Sequence, residues 1–464
     1  MILDTTGLLG PQVKHANALL SSLATNGFAL DMSETGTGKS YVAAAIARDW
    51  HGPVELICPK AVIPQWLKVL AKFGVKPHVI VNYEKIGRGN TSWMKWKKVP
   101  DIMKPWKEGE LREMPVFKFP SNALVILDEG HRCKGNDTTN AWMLIALKRQ
   151  GYKTLVASAT LATTPMEMRA SGYLVGLHAL YNFTDFCRVH GAADVGRYGA
   201  LTWSADNPAA KRSMLLLNQY LFETSKCASR MRVEDFGDLF PESHIVAEAY
   251  DLGANSPKVQ AVYEEMEAEI ARLEKRTENY SEHIFAIMMA ARRKSELLKV
   301  PLFAEMVEDL YDEGKSVCIF LNFEDSIDAL RARLTKTKKF ANTIGYIVGG
   351  QHADQRQRDI DAFNSDTKRI MIANIKAGGI GISLHDLNGK FPRASIVSPN
   401  FSAFELVQAL GRVWRQGGLT KSYQVIAFAA GTIEEQACRR VQARIDNLST
   451  LNDADLIGDI QIFG

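Results

Sequence analysis

The chain has 464 residues, 46% hydrophobic and 23% charged, and its 56 lysines and arginines against 52 aspartates and glutamates leave a net charge of +4. That is enough apolar material for two or three ordinary domains and excludes a low-complexity chain, while so small a net charge means that any polyanion must be bound through local patches. The six cysteines (Cys58, Cys133, Cys187, Cys227, Cys318 and Cys438) form no Cys-x-x-Cys pair, so neither zinc nor a disulfide framework is signalled and a reducing, cytoplasmic setting is expected. No apolar stretch reaches the length of a membrane span and the N-terminus lacks a secretory pattern, so no membrane partner is expected.

The first informative element is the apolar run Phe28 to Leu30, followed by Ser33, Glu34, Thr35, Gly36, Thr37, Gly38, Lys39 and Ser40 and then a helical pattern from Tyr41. Strand, glycine-rich loop and helix in that order predict a phosphate-binding loop. The glycines let backbone N–H groups face phosphate oxygens, Lys39 reaches the β- and γ-phosphates, and Ser40 holds Mg²⁺. ATP and Mg²⁺ are therefore the expected ligands, with Ser33 in place of the general pattern's glycine.

Val54 to Cys58 reads as the next strand. After it comes a segment, about residues 91–120, in which Trp93, Trp96 and Trp106 interleave with Lys95, Lys97, Lys98, Lys104 and Lys107. Such a pattern suits either stacking on nucleic-acid bases or anchoring of a surface insertion. The continuous apolar run Ala123 to Leu127 predicts a strand buried on both faces. It ends at Asp128 and Glu129, where the first carboxylate is placed to hold Mg²⁺ and the second to deprotonate the attacking water.

Thr154 to Ala157 completes a first block of strands. Residues 165–300 have helical character, with Ser256 and Pro257 opening an amphipathic helix, and Val317 to Leu321, Ile370 to Ala373 and Ala394 to Val397 form a second block. The predicted fold is α/β, two parallel-sheet lobes with a helical protrusion between them. The N-terminal lobe is placed at 1–245; the connection, to about 300, and the C-terminal lobe fill 246–464.

From Leu8 to about Asn447 the segments resemble, in order and wording, a superfamily 2 helicase of the Swi/Snf-type DNA translocase kind, built on RecA-like lobes. The resemblance rests on the phosphate loop, on Leu56 to Trp66, on Val81 to Lys85, on Asp-Glu-Gly-His at 128–131 followed by Lys134, and on Ser158, Ala159 and Thr160 trailed by Pro165 and Glu167. In the second half it rests on Lys376 to Gly381, on Gln408 to Arg415 and on Gly431 to Glu434.

The resemblance implies a role for each segment. Gln12 is similar to the glutamine that reads adenine, Gly381 joins the nucleotide site, and Gln408, Arg412 and Arg415 join catalysis. The two arginines, three apart and expected on one helical face, would bring positive charge to the γ-phosphate. His131, Ser158 and Thr160 are implied as residues that couple hydrolysis to movement. Nucleic acid would be held without sequence reading by Lys60, Gln65, Trp66, Asn82 and Tyr83 in the first lobe and by Lys376, Gly378 and Gly379 in the second. The implied activity is an ATP-dependent translocase on duplex or branched DNA, a monomer of a bacterium or bacteriophage working with replication or recombination proteins. The alternatives are a nucleotide-regulated DNA clamp with little hydrolysis and an RNA-directed helicase.

Overall fold

The wholly apolar runs become the inner strands of two all-parallel sheets. The computed structural model describes residues 3–453, apart from 90, 196–199, 205–207, 275–280, 379–381, 401 and 431. One compact unit takes in the chain up to Gly237 together with the end of the C-terminal helix from Ala443, and the other runs from Asp238 to Gln442. The chain therefore divides at 237/238, against the boundary of 245/246 read from the sequence.

The first unit holds β1 (Phe28–Asp31), β2 (Val54–Cys58), β3 (Val79–Asn82), β4 (Met94–Pro100), β5 (Leu111–Phe117), β6 (Leu124–Asp128), β7 (Lys153–Ala157), β8 (Ala193–Val195), β9 (Ala200–Thr202) and β10 (Ala228–Ser229). Its main sheet has the order β10-β1-β7-β6-β2-β3. Strands β4 and β5 form a separate antiparallel hairpin, as do β8 and β9. Asp31 of β1 and Asp128 of β6 both pair in register with Ala157 of β7. The carboxyl ends of three adjacent strands are thus level, and the loops leaving them share one edge, where ligands of open α/β sheets bind.

The second unit holds β11 (Ser243–Tyr250), β12 (Ser316–Leu321), β13 (Ile344–Ile347), β14 (Ile370–Asn374), β15 (Arg393–Val397) and β16 (Ser422–Ala429) in the order β11-β16-β15-β12-β14-β13. Strand β12 is buried at every residue, as a central parallel strand must be. Two such sheets, each carrying helices, are the RecA-like pair that the resemblance implied.

Residues 165–300 are less uniformly helical than their sequence suggests. Helices Arg169–Val175, Phe183–Val189, Pro208–Gln219, Ser256–Glu274 and Ser281–Asp312 are present, the last running on past 300. The same stretch also supplies the β8–β9 hairpin and one edge strand to each main sheet, β10 and β11.

Candidate nucleotide site and nucleic-acid interface

The loop after β1 is built from both sides. Ser33 N–H donates to Asp31 Oδ1 (3.0 Å), and Ser33 Oγ accepts from Met231 N–H (3.0 Å) and lies 3.1 Å from His15 Nε2. A hydroxyl therefore does at position 33 what a glycine could not, tying the loop to the segment after β10 and to the first helix, Gly10–Thr25. Gly36 (φ +87°) and Gly38 (φ +92°) adopt the left-handed backbone that turns the loop. A Cβ at Gly38 would come within 2.4 Å of Gln12 Nε2, so glycine is required there.

Gln12 is buried, accepting from Leu9 N–H (2.9 Å) and donating to Thr37 O (3.0 Å). It thus braces the loop directly. Lys39 Nζ donates to Ser33 O (2.9 Å) and Glu34 O (2.8 Å), with its pKa lowered by burial against the opposing pull of Asp31, Glu129 and Asp128. Thr37 is buried on Glu34 O, whereas Thr35 and Ser40 stay partly open, Ser40 in the first turn of helix Lys39–Asp49. A left-handed glycine turn, an ammonium folded over it, a hydroxyl in the first turn of the next helix and the carboxylate that ends β6 form a donor set that fits a triphosphate and a hard divalent cation.

Glu34 carries a network that sequence reading missed. Its carboxylate accepts from Arg230 Nη2 (3.0 Å) and Val233 N–H (2.7 Å), and Asp453 Oδ1 accepts from Arg230 Nε (2.6 Å) and Arg232 Nε (2.8 Å). These partners lie about 200 residues from Glu34 in sequence, so no spacing rule reveals them.

At the end of β6, Asp128 Oδ2 accepts from Trp66 Nε1 (2.7 Å), Asp128 Oδ1 from Glu129 N–H (3.1 Å), and Asp128 O from the Tyr83 hydroxyl (2.7 Å). Burial and the neighbouring Glu129 charge raise the Asp128 pKa to about 7, with Trp66 and Lys39 opposing. Glu129 sits at φ 57°, ψ 50°, a left-handed conformation unusual outside glycine that concentrates at functional sites. His131 Nδ1 lies 3.2 Å from Glu129 Oε2 and 3.3 Å from Ser158 Oγ, and burial lowers its pKa. Ser158 Oγ also accepts from Thr160 N–H (3.3 Å), and Ser158 N–H donates to Asp31 O (2.9 Å). Lys39, Asp128, Glu129, His131, Ser158 and Thr160 thus belong to one connected edge.

Two residues read from the sequence as nucleic-acid contacts serve a different purpose. Trp66 is 3% exposed and Tyr83 1%, and both are spent on Asp128, so they position the carboxylate and present no face to a ligand. Lys60 and Gln65 are exposed, and Asn82, partly exposed, donates to Glu84 Oε2 (2.7 Å).

In the second unit Lys376 is exposed and Gly378 is buried, where a Cβ would press on Ala373 and Phe320. Gly379 and Gly381 lie outside the described residues. Gln408 is buried in helix Ala403–Leu410. That helix ends at Gly411, so Arg412 and Arg415 occupy the turn beyond it and share no helical face, contrary to the sequence expectation. Beyond Gly411 (φ −73°, ψ 8°) the ladder tightens into a turn, Arg412 N–H donating to Ala409 O three residues back (3.1 Å). Arg412, 3% exposed, donates to Ile382 O (3.2 Å), and Arg415 donates to Ser383 Oγ (2.8 Å). Both arginines therefore fasten the segment just after the Lys-Ala-Gly-Gly stretch.

A phosphate loop with its carboxylate strand end, on one of two parallel-sheet units, defines an ATP-using enzyme of the helicase class. The chain belongs to the superfamily 2 helicases and is an ATP hydrolase of that family. The Helicase conserved C-terminal domain family matches residues 299–417. A protein of Acanthamoeba polyphaga mimivirus, provisionally named an ATP-dependent RNA helicase, is 33% identical over 98% of this chain and 85% of its own. The DNA repair and recombination protein RAD54-like of Drosophila erecta is 24% identical over 71% of this chain and 46% of its own. Among solved structures, Saccharomyces cerevisiae Dbp5 bound to RNA and ADP BeF3 has a TM-score of 0.47 at 12% identity, covering 94% of this chain and 92% of that one. The Sulfolobus solfataricus SWI2/SNF2 ATPase core in complex with dsDNA has a TM-score of 0.36 at 16% identity, covering 93% and 90%. Among the described residues no helix is long and apolar enough to cross a membrane.

Proposed function

We propose that this chain is an ATP-driven DNA translocase that moves on duplex or branched DNA and remodels forks or junctions in replication, recombination or repair. We place it as a monomer in the cytoplasm of a bacterial or phage-infected cell. The observation that carries the motor reading is the continuous link from Glu129 through His131 to Ser158, beside Lys39 and Asp128. A change at the phosphate has a direct route to the loop after β7.

In this reading the loop N–H groups and Lys39 hold the β- and γ-phosphates, and Gln12 meets the adenine edge. Ser40 and Asp128 hold Mg²⁺, which when bound neutralises phosphate charge. Glu129 takes the proton of the attacking water; neutral His131 fixes that carboxylate and reports to Ser158 and Thr160. Arg412, Arg415 and Gln408 contribute to the same reaction during turnover. Lys60, Gln65, Asn82, Lys376 and Gly378 hold DNA by its backbone.

DNA is favoured by the Lys-Ala-Gly-Gly stretch that resembles translocases of intact duplexes and by the RAD54-like relatives. An RNA-directed helicase is the second reading, favoured by the name of the mimiviral relative. A clamp with little hydrolysis would have no need for Glu129 and the two arginines together. The deciding experiment is the ATPase rate without nucleic acid and then with single-stranded DNA, duplex, a four-way junction and RNA. Duplex or junction should stimulate at least as well as single strands. Stimulation by RNA alone would sink the DNA reading, and no stimulation at all the motor reading.

A further inference from the structure

The β4–β5 hairpin is joined to neither main sheet, and its base is well anchored. Met94, Met114 and Phe117 are buried in the first unit's core, Trp96 Nε1 donates to Ile86 O (3.2 Å), and Trp93 stacks on Phe119 with ring centroids 5.8 Å apart. Two of the three tryptophans are therefore structural. The third is not. Trp106, in the turn between the strands, is 65% exposed and meets the edge of Tyr181, itself 52% exposed, at 6.2 Å between centroids.

That turn is held open by a frame that leaves the indole out. Asp101 accepts from Arg112 Nε (3.1 Å) and Met103 N–H (2.9 Å), and Lys104 pairs with Glu110 across the turn. Along β4, Lys95 and Lys97 are exposed and, among the described residues, in no ion pair with a carboxylate, whereas Lys98 lies on the other face of the strand, in register with Glu113. Lys95 and Lys97, two apart on a strand, lie on one face roughly 6.6 Å from each other.

We propose that Trp106 and Tyr181, with Lys95 and Lys97, form an accessory site for an unpaired stretch of DNA. A base stacks on the exposed indole while the strand lysines neutralise the phosphates. The lysines argue against a protein partner. Lysine is depleted at protein interfaces, whereas exposed lysines on the same hairpin as an exposed aromatic suit a single strand that runs along it. Because stacking accepts any base, the site is blind to sequence. It rests on the DNA reading above and adds to it a preference for forks and junctions, which expose unpaired bases beside duplex.

The test uses the full chain, a fluorescent oligothymidylate, the same length of RNA and a blunt duplex, with binding read without nucleotide. Trp106→Ala should weaken oligothymidylate binding about 10-fold, within the range measured for lost stacking, and leave blunt duplex within about twofold. Trp106→Phe should restore most of the loss, which a folding defect would not allow. Lys95→Gln and Lys97→Gln together should flatten the dependence of log affinity on log salt by about 1.4 for the single strand. Equal oligothymidylate affinity for Trp106→Ala and wild type overturns the site, as does an effect confined to RNA. Duplex-stimulated ATPase of Trp106→Ala should match wild type. If no DNA stimulates the wild type, the translocase reading fails, while the binding measurement still decides this one.

Discussion

The indole of Trp66 donates to Asp128 Oδ2 over 2.7 Å, while the Tyr83 hydroxyl donates to the same residue's carbonyl over 2.7 Å. A carboxylate whose pKa burial lifts to about 7 is thereby oriented by two buried aromatics. Trp66→Phe keeps the packing and deletes the donor. A hydrogen bond to a charged group contributes about 1.5–3 kcal/mol, so we expect a fall of roughly tenfold or more in DNA-stimulated turnover at saturating ATP. The thermal unfolding midpoint should fall as well, because the buried carboxylate loses a donor. Unaltered turnover would show that the indole only fills space.

Lys39→Ala and Glu129→Gln should both abolish turnover yet part company in binding. Lys39 folds over the phosphate loop, whereas Glu129, in the proposed reaction, acts on the attacking water, an interaction stronger in the transition state than in the ground state. Equilibrium binding of a fluorescent ATP analogue should therefore be nearly normal in Glu129→Gln and strongly weakened in Lys39→Ala. Wild-type hydrolysis by Glu129→Gln would remove it as the base.

Arg412 and Arg415 should separate in stability though both affect rate. A lost arginine finger lowers turnover on the order of 10³-fold. Arg412 is buried on Ile382 O, so Arg412→Ala should also lower the unfolding midpoint. Arg415 is partly exposed, with bonds to Ser383 Oγ and Gly411 O, so its alanine variant should lose less and unfold closer to the wild-type temperature. A change in ATP affinity alone, with turnover preserved, would make them ground-state ligands.

His385 gives a pH signature of the second unit. Burial, then the charges of Arg415 and Arg393, push its pKa down to about 4. In the unfolded chain the imidazole takes up its proton near pH 6.5, so between those values the unfolded state binds more protons. The stability associated with neutral His385 is complete above about pH 6.5 and is lost as pH falls toward the folded value. Between pH 7 and 5, wild type should lose about 2 kcal/mol more than His385→Asn in denaturant unfolding. Identical losses would place the imidazole in water.

What was legible in the sequence was local. The phosphate loop, the strand ending at Asp128 and the run of β12 each need only neighbouring residues, and each forms at the positions its residues predict. Strand β10 escaped because two residues carry no periodicity, and β11 because an edge strand of mixed polarity looks like the helical stretch around it. Trp66 and Tyr83 were misassigned for a different reason. Their type suits nucleic acid, and only the packed structure shows their polar atoms turned inward to Asp128. The same limit hid Arg230, Arg232 and Asp453, joined from segments more than 200 residues apart.

That last cluster makes its own prediction. Asp453, in the last turn of helix Ile433–Asp453, accepts from both arginines and is 4% exposed, while Arg230 also donates to Glu34 of the phosphate loop and to Met32 O (2.6 Å). Next to it Asn452 Nδ2 donates to Ala159 O (3.1 Å), between Ser158 and Thr160. One helix end thus touches both the supports of the phosphate loop and the loop after β7. Asp453→Ala leaves two guanidinium groups without their shared carboxylate, one of them largely buried. Removing one partner of a buried pair costs about 3 kcal/mol, so the unfolding midpoint should drop. Freed from Asp453, Arg230 no longer holds Glu34 in a single place. The KM for ATP should rise roughly fivefold, the equivalent of about one hydrogen bond, with a smaller rise in Asp453→Asn, which keeps an acceptor. A lower midpoint with unchanged KM would make the cluster purely structural. An unchanged midpoint would mean that the carboxylate does not hold the arginines in solution.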